Sequence, residues 1–208
     1  MKIKTEVSGA RKPGRPAVDR REEILDAAER LYDSLGFEKT TIADLARDLG
    51  MSPANLYRSF PNRQAIDEAI AARKLTVLED VAWTAARKAS LDAPAAFREM
   101  TVAVMRQTLT LLFSQERMHR LCAVATQSRW PVVEQFIRGL RGGLRHIVIE
   151  GQNAGVFAPG DPDVIAGALF GALSKFWHPV MLEMCLGDDM EAELDALCTL
   201  LINGISVK

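Results

Sequence analysis

The chain has little of the chemistry that enzymes and metal sites need: its 208 residues include three cysteines and three histidines. Cys122, Cys185 and Cys198 stand singly in apolar segments, so there is no Cys/His spacing for zinc, and an odd number does not suit a disulfide framework. We expect small buried hydrophobic residues there, with redox sensing as the alternative. A nucleophile elbow, a phosphate-binding loop and an HExxH motif are absent too. The sequence therefore predicts a protein that is not an enzyme and that uses no metal and no cofactor.

Long hydrophobic runs are also missing. No stretch reaches about 18 uninterrupted apolar residues, and the charged N-terminus has no apolar signal region. On this basis we expect a soluble, cytoplasmic protein with no membrane partner. The sequence shows no useful β-type alternation and no internal repeat, while 48% of its residues are hydrophobic, which excludes a largely disordered chain. The apolar periodicity predicts an all-α protein of about nine helices.

The net charge of −1 hides a gradient along the chain. Residues 1–21 carry seven basic and two acidic residues, a net of +5, whereas residues 151–208 carry two basic and eight acidic residues, a net of −6. A basic end attracts phosphates, and the acidic end should stay away from nucleic acid. Residues 1–18 lack apolar periodicity and are predicted to form a flexible basic arm. Its KPGRP segment would place Arg15 in an A·T-rich minor groove, or it is an ordinary basic tail.

After a first helix that ends at Gly36, residues 40–63 read as two short helices joined by a tight turn. Thr41 begins a capping box for the first of them. Gly50 supplies the left-handed residue that ends a helix, and Ser52 followed by proline restarts the chain as N-cap and first helical residue. This order is typical of a helix-turn-helix. The second helix is only about two turns long, which suits presenting side chains to the major groove of DNA.

The positions that define this pattern are Phe37, Thr41, Ile42, Leu45, Ala46, Gly50, Ser52, Leu56, Tyr57, Phe60 and Arg63. They resemble the signature of the tetracycline-repressor (TetR) family of bacterial regulators, which usually has Lys where this chain has Arg63. The reading that results is a three-helix DNA-binding domain over residues 19–64. It is followed by a larger helical domain for ligand binding and dimerisation over residues 65–208.

The N-terminal part of the second helix in such a motif faces base edges, while the side chains around it hold phosphates. Asn55 is the candidate for direct readout, because an amide pairs with adenine in a bidentate way. Pro53 and Ala54 offer compact apolar contact to a thymine methyl. Tyr57 is a candidate phosphate donor, as the resemblance also implies, and Arg58 would reach a guanine or the backbone.

Thr41 and Arg63 each lie at a helix start, where phosphates gain from the helix dipole, and Ser52 lies at the start of the second helix. Each candidate has a plainer interpretation. Thr41 and Ser52 would act as caps alone, Tyr57 would pack against the first helix, and Asn55 would be a solvated helix residue. The combination of these residues favours DNA binding more than any one of them does.

One short recognition helix makes too few contacts for a unique site, so we expect a dimer that binds a palindromic operator on double-stranded DNA. The predicted dimer surface is the last two helices, over about residues 162–185 and 189–206. Small and apolar residues follow one another there, and two helices from each subunit would form a four-helix bundle. The alternative is that these residues form an intramolecular core.

The middle helices are rich in large, adaptable apolar side chains, most of them expected in the core. Methionine and aromatic residues also line pockets for varied hydrophobic ligands, and the resemblance implies such a pocket. The candidate lining residues are Trp83, Phe97, Met105, Phe113, Met118, Cys122, Phe136, Trp177 and His178. The predicted function is a transcriptional repressor that a small hydrophobic ligand releases from DNA. The alternative is a dimeric DNA-binding protein without ligand response.

Overall fold

The computed structural model of the chain describes residues 20–185 and 189–208. The predicted basic arm with Arg15, and the division of the last two helices at Gly187, lie outside the described residues. Within these two ranges the chain forms eleven α-helices and no β-strand, apart from one isolated antiparallel bridge. The all-α class with an N-terminal helix-turn-helix is confirmed.

Most helices begin and end close to the residues that the sequence indicates. Their bounds are α1 (Arg21–Leu35), α2 (Ile42–Asp48), α3 (Pro53–Ser59), α4 (Arg63–Ala86), α5 (Ala93–Ser114), α6 (Glu116–Gln127), α7 (Pro131–Asn153), α8 (Pro162–Ala172), α9 (Ser174–Trp177), α10 (Pro179–Met184) and α11 (Met190–Ile205).

The predicted eighth helix, over residues 162–185, is divided into α8, α9 and α10. A proline inside a helix predicts a kink, but at Pro179 the chain instead ends α9 and opens α10. The backbone of His178 is extended, with φ −82° and ψ 123°, because the residue before a proline is driven out of the α region. The described residues therefore contain eleven helices rather than about nine.

The first three helices pack around a small apolar core together with the first turns of α4. Tyr32, Leu45, Leu56, Phe60 and Ile66 are all at most 1% exposed. Burying a side chain of this size contributes about 1.5–3 kcal/mol, so these contacts orient α3 firmly against α1 and α2. Leu56 and Phe60, two of the positions that define the helix-turn-helix pattern, are thus core residues.

Helix α4 connects this N-terminal unit with the rest of the chain. Its 24 residues extend over roughly 36 Å, and it packs against α1 at one end and against α5, α6 and α7 along its length. Helix α7 packs in turn on α8. The C-terminus closes the fold, because the Ala158 N–H donates to the Ile205 carbonyl at 2.7 Å beside the Phe157–Ser206 bridge.

Candidate functional site: nucleic-acid interface and internal cavity

The helix-turn-helix is built by local capping. The Thr41 hydroxyl accepts from the Asp44 N–H at 3.1 Å, and the Asp44 carboxylate accepts from the Thr41 N–H at 3.0 Å, which completes the predicted capping box. Gly50 has a φ of 59°, and Ser52 caps α3 by accepting from the Asn55 N–H at 3.3 Å. Thr41, Asp44 and Gly50 thus end and begin helices as the sequence indicates, which fixes the angle at which α3 leaves the turn.

The Thr41 hydroxyl is not available as a phosphate donor in this arrangement. It donates to Asp44 Oδ2 at 2.7 Å, and the Thr41 N–H goes to the same oxygen. Hydrogen bonds from the Thr41 hydroxyl and backbone lower the pKa of Asp44, and the nearby Arg47 lowers it further. A negative charge therefore stands where a phosphate contact was predicted, and the capping interpretation of Thr41 fits the geometry.

The outer face of α3 carries the other predicted contacts. Pro53, Ala54, Asn55, Tyr57 and Arg58 are all exposed. The tyrosine side chain is 50% exposed, so it does not pack into the core against α1, which was the alternative interpretation. The five side chains lie on one short helix whose opposite face is buried, as an element that reads a groove requires.

Arg63 does not face outward as predicted. Its Nε donates to the Tyr32 hydroxyl at 3.0 Å and to Asp67 Oδ1 at 2.9 Å. Its Nη1 and Nη2 donate to the backbone carbonyls of Thr40 and Phe37. The predicted phosphate contact is therefore corrected: the guanidinium is the centre of a network within the domain, which we call the Arg63 network, and it ties α1, the α1–α2 loop and α4 together.

The Arg63 network is largely buried, and the pKa values of Tyr32 and Arg63 are shifted within it. Burial, and then the charge and hydrogen bonding of Asp67, raise the pKa of Tyr32, so the phenol remains neutral. Burial acts against the charge of Arg63, but its hydrogen bond to Asp67 and the neighbouring charges outweigh that effect, and its pKa is raised. The network thus contains one permanent ion pair, between Arg63 and Asp67, with a neutral tyrosine beside it.

Sequence reasoning missed three basic residues around α3. Arg21 donates to the Ser59 carbonyl at 2.6 Å, and its guanidinium lies 4.2 Å from the centre of the Phe60 ring, so it holds the end of α3 against α1. Lys39 lies in the loop before α2 and Arg47 in the last turn of α2, and both are exposed. The basic residues on the surface were visible in the sequence, but the contact of Arg21 with α3 joins residues 38 positions apart.

A partly open cavity of about 110 Å³ lies between the middle helices. Every helix from α4 to α10 contributes to its wall, and the lining is almost entirely apolar. The lining residues are Leu75, Leu78, Thr108, Leu111, Cys122, Thr126, Val133, Phe136, Ile137, Leu140, Phe170, Ser174, Trp177, His178 and Pro179.

Four of the predicted ligand-binding residues line this cavity, namely Cys122, Phe136, Trp177 and His178. The other five do not. Phe97, Met105 and Met118 are buried core residues at most 1% exposed, Phe113 is 69% exposed, and Trp83 packs beside His146 with the ring centres 6.1 Å apart. Composition indicated the helices that enclose the cavity but not which face of each helix lines it.

Two groups in the cavity wall have shifted pKa values. Burial raises the pKa of the Cys122 thiol to about 12, although the charge of Lys74 opposes the shift, so this cysteine is a neutral thiol. Burial lowers the pKa of His178. His178 Nδ1 also accepts from the Met181 N–H at 3.4 Å as the N-cap of α10. Both side chains are therefore mainly uncharged at neutral pH.

His119 lies on α6, one turn before Cys122, and has no hydrogen-bond partner for either ring nitrogen. It is 2% exposed, and its Nε2 is 3.6 Å from a carboxylate oxygen of Glu183 on α10. Burial lowers the pKa of His119, and the charge of Glu183 opposes that shift. Sequence reasoning named His178 as a candidate lining residue and did not single out His119.

The helices predicted to dimerise leave an apolar face uncovered. Val164 on α8 is 67% exposed and Leu200 on α11 is 69% exposed. Gly171 and Gly204 have open space where a side chain would project. Ala166 and Leu194, by contrast, point into the core. The predicted surface is thus partly core and partly an exposed apolar strip of small and branched residues.

No group of three or more His, Cys, Asp or Glu side chains within residues 20–185 and 189–208 is arranged to hold a metal ion. Across the same part of the chain, each helix is either too short or too polar to span a bilayer.

Comparison with known proteins finds a family match in each half of the chain. Residues 24–70 match the bacterial regulatory proteins of the tetR family, and residues 93–198 match the tetracyclin repressor-like C-terminal domain. A nucleoid occlusion factor, SlmA of Photobacterium profundum, is 30% identical over 171 residues, which cover 76% of this chain and 82% of that protein.

Solved structures have the same fold. A TetR-family transcriptional regulator from Pectobacterium atrosepticum superposes with a TM-score of 0.64 at 18% identity, covering 91% of this chain and 95% of that one. SmeT, the repressor of the Stenotrophomonas maltophilia multidrug efflux pump SmeDEF, superposes with a TM-score of 0.60 at 19% identity, covering 90% and 91%. With the helix-turn-helix geometry and both family matches in agreement, the chain belongs to the TetR family and is a DNA-binding transcriptional regulator, not an enzyme.

Proposed function

We propose that this chain is a repressor that binds a palindromic operator as a homodimer and leaves it when a small hydrophobic ligand fills the internal cavity. The observation that carries the proposal is the position of that cavity. Leu75 and Leu78 of its wall belong to α4, the helix that begins at Arg63 directly after the recognition helix. A ligand that binds one tilt of α4 better than another shifts the population between DNA-binding and released forms.

Operator reading is assigned to the exposed face of α3. Replacing Asn55 by alanine should relax base preference at one position in each half-site, because an amide that pairs with a base edge is lost. Replacing Tyr57 by phenylalanine should weaken binding on all sequences and lower the salt slope by about one unit, as expected for a phosphate contact. Wild-type binding by both variants would refute the assignment of α3.

We also propose that the basic arm contacts the minor groove of the operator. Deleting residues 1–17 should weaken binding most on operators with A·T-rich flanks if Arg15 lies in a narrow groove. An equal loss on all flanks would leave only non-specific attraction to phosphates.

The dimer is proposed to form through the exposed apolar strip of α8 and α11. A second copy that is related by a two-fold axis would cover Val164 and Leu200 and would approach closely at Gly171 and Gly204, which have no side chains. We propose that the two copies of α3 then lie on one side of the assembly and that their spacing depends on α4.

The ligand response has a direct test. The purified full chain is heated with a panel of hydrophobic compounds, and those that raise its melting temperature are added to its complex with an operator selected from random DNA. A coupling of about 1–3 kcal/mol would lower DNA affinity roughly 5- to 150-fold. If no compound raises the melting temperature or releases DNA, the ligand response is refuted.

A second candidate is a DNA-binding dimer that does not respond to ligand. The 30% identity to a nucleoid occlusion factor over most of the chain favours it. Operator selection separates the two candidates in part, because a regulator of one gene needs few sites, whereas a protein that acts on the nucleoid as a whole needs many. The compound panel separates them fully.

A further inference from the structure

The residues that line the cavity restrict the charge of a ligand as well as its polarity. Among the described residues that line it, none is an aspartate, glutamate, lysine or arginine. Two lysines lie next to lining residues in the chain, and both are paired: Lys74, beside Leu75, with Glu29 at 3.2 Å, and Lys175, beside Ser174, with Glu193 at 2.5 Å. A charged ligand would therefore lose its hydration without gaining an opposite charge, which is strongly unfavourable.

The hydroxyl groups in the cavity wall already donate hydrogen bonds to backbone carbonyls. Thr108 donates to the Val104 carbonyl at 2.8 Å, Thr126 donates to the Cys122 carbonyl at 2.8 Å, and Ser174 donates to the Phe170 carbonyl at 3.2 Å. The two threonine bonds stay within one helix, and the Ser174 bond joins the start of α9 to the last turn of α8. These groups consequently add little beyond weak acceptor capacity to the cavity.

The indole of Trp177 is engaged in the same way. Its Nε1–H donates to the carbonyl of Thr101 at 3.2 Å, so the ring offers the ligand an apolar face and no donor. Phe170 packs edge-on to this indole, with the ring centres 6.1 Å apart, and both residues line the cavity. An aromatic ligand would gain favourable ring contacts from this pair.

His178 differs from the other polar residues. Because its Nδ1 accepts from the Met181 N–H, the proton of the neutral imidazole is on Nε2. The ring therefore has one N–H that the cap of α10 does not use, on a residue that lines the cavity. This tautomer follows from the capping bond and is independent of any ligand.

The size of the cavity limits the ligand as well. A cavity of about 150 Å³ lined by Leu, Ile and Phe is enough to hold benzene. The cavity here measures about 110 Å³ and has the same kind of lining. It is smaller than that reference cavity but not fully enclosed, so it limits the ligand to a single aromatic ring whose short substituent extends toward the opening.

We propose that the ligand is an uncharged, single-ring aromatic compound with one hydrogen-bond acceptor, and that His178 Nε2–H binds this acceptor. The inference rests on the proposed function and specifies its ligand class. It excludes carboxylates and amines of the same size, and it makes His178 the residue that orients the ring against Phe170 and Trp177.

The test uses three probes of similar shape on the purified full chain at neutral pH: toluene, acetophenone and benzoate. Isothermal titration calorimetry should give acetophenone an affinity about three- to tenfold above that of toluene, as one net hydrogen bond provides, and no measurable binding of benzoate. Benzoate that binds as tightly as acetophenone would overturn the exclusion of charge. Equal affinities of toluene and acetophenone would overturn the hydrogen bond.

Two variants locate the donor. His178→Leu should remove the preference for acetophenone and leave the affinity for toluene within about twofold, whereas Thr126→Val, in the same wall, should retain the preference, because its hydroxyl is already engaged. An unchanged preference in His178→Leu overturns the role of His178. If all three probes fail to bind a chain that still unfolds cooperatively, the ligand class is wrong.

The proposed function is judged by a separate measurement. If acetophenone binds with the expected preference but leaves the operator complex intact at saturation, the ligand class stands and ligand-induced release is refuted.

Discussion

Replacing Arg63 by lysine tests whether the N-terminal unit depends on the Arg63 network. The guanidinium donates through three nitrogens to four acceptors on α1, the α1–α2 loop and α4. An ammonium has one nitrogen and cannot reach acceptors that lie in such different directions. Lysine would keep the ion pair with Asp67 and leave the backbone carbonyls of Phe37 and Thr40 without their donor.

The expected cost follows from those two carbonyls. Thr40 is 1% exposed and Phe37 is 9% exposed, so water reaches their backbone poorly. A hydrogen bond from a charged donor contributes about 1.5–3 kcal/mol. The Arg63 side chain is itself 27% exposed, and water entering beside the shorter lysine would replace part of the loss. We therefore expect Arg63→Lys to lower the free energy of unfolding by about 2–3 kcal/mol, below the full sum of two such bonds.

The assay is equilibrium urea unfolding followed by circular dichroism, together with operator affinity. Arg58→Lys is the matched control, because Arg58 is exposed on α3 and the same chemical change there should alter stability by less than about 0.5 kcal/mol. Arg63→Lys should shift the urea midpoint and weaken DNA binding on every sequence. If its midpoint equals that of the wild type, the Arg63 network does not stabilise the domain, and the outward-facing role predicted from the sequence is restored.

Three further changes test other parts of the chain. His119→Leu removes two unpaired buried nitrogens and should raise the urea midpoint at neutral pH. Because the folded-state pKa of His119 is depressed, wild-type stability is complete above the unfolded-state pKa of about 6.5 and declines as the pH falls below it, and this decline should shrink in the variant. Gly151→Ala pushes a methyl into the Phe157 ring and should cost about 1–3 kcal/mol in urea unfolding, part of which Phe157→Leu should recover in the double variant. If the proposed dimer forms through α11, Leu200→Arg should convert it to a monomer in analytical ultracentrifugation with its helicity unchanged, whereas Leu91→Arg, at a position 89% exposed elsewhere, should not.

Each of these results has a clear contrary outcome. The same pH profile in wild type and His119→Leu would mean that other groups control acid stability. An undiminished midpoint in Gly151→Ala would mean that the α7–α8 loop moves away at little cost. A Leu200→Arg protein that remains dimeric would move the dimer interface off α11.

Helix ends were predicted well because capping is local. Thr41, Gly50 and Ser52 act on neighbours within three or four residues, and their residue types alone indicate the motif. An irregularity at Pro179 was visible for the same reason, although a kink was expected and the helix ends there instead. The end of α8 at Ala172 was not, because no proline or glycine follows directly and the interruption before Ser174 has no marker in the sequence.

Side-chain direction was predicted less well because it depends on distant partners. Arg63 turns inward because Tyr32, 31 residues earlier, offers a hydroxyl beside Asp67. The cavity presents the same difficulty, since its wall combines one or a few positions from each of seven helices. The sequence shows that these helices are apolar, but the register between them decides that Phe136 lines the space and Phe97 does not.

The Arg63 network also couples the start of α4 to the loop that leads into α2. The first residue of α4 is bonded to the carbonyls of Phe37 and Thr40, so the loop that leads into α2 must follow that end of the helix. Leu75 in the cavity wall is twelve residues further along α4, roughly 18 Å away. If α4 tilts by about 5° around Leu75, its first residue and the helix-turn-helix attached to it move sideways by about 1.6 Å. In a dimer the displacements of the two DNA-binding units would add. A rigid connection at Arg63 would therefore convert a small tilt of α4 into a change in the distance between the two copies of α3 along the duplex.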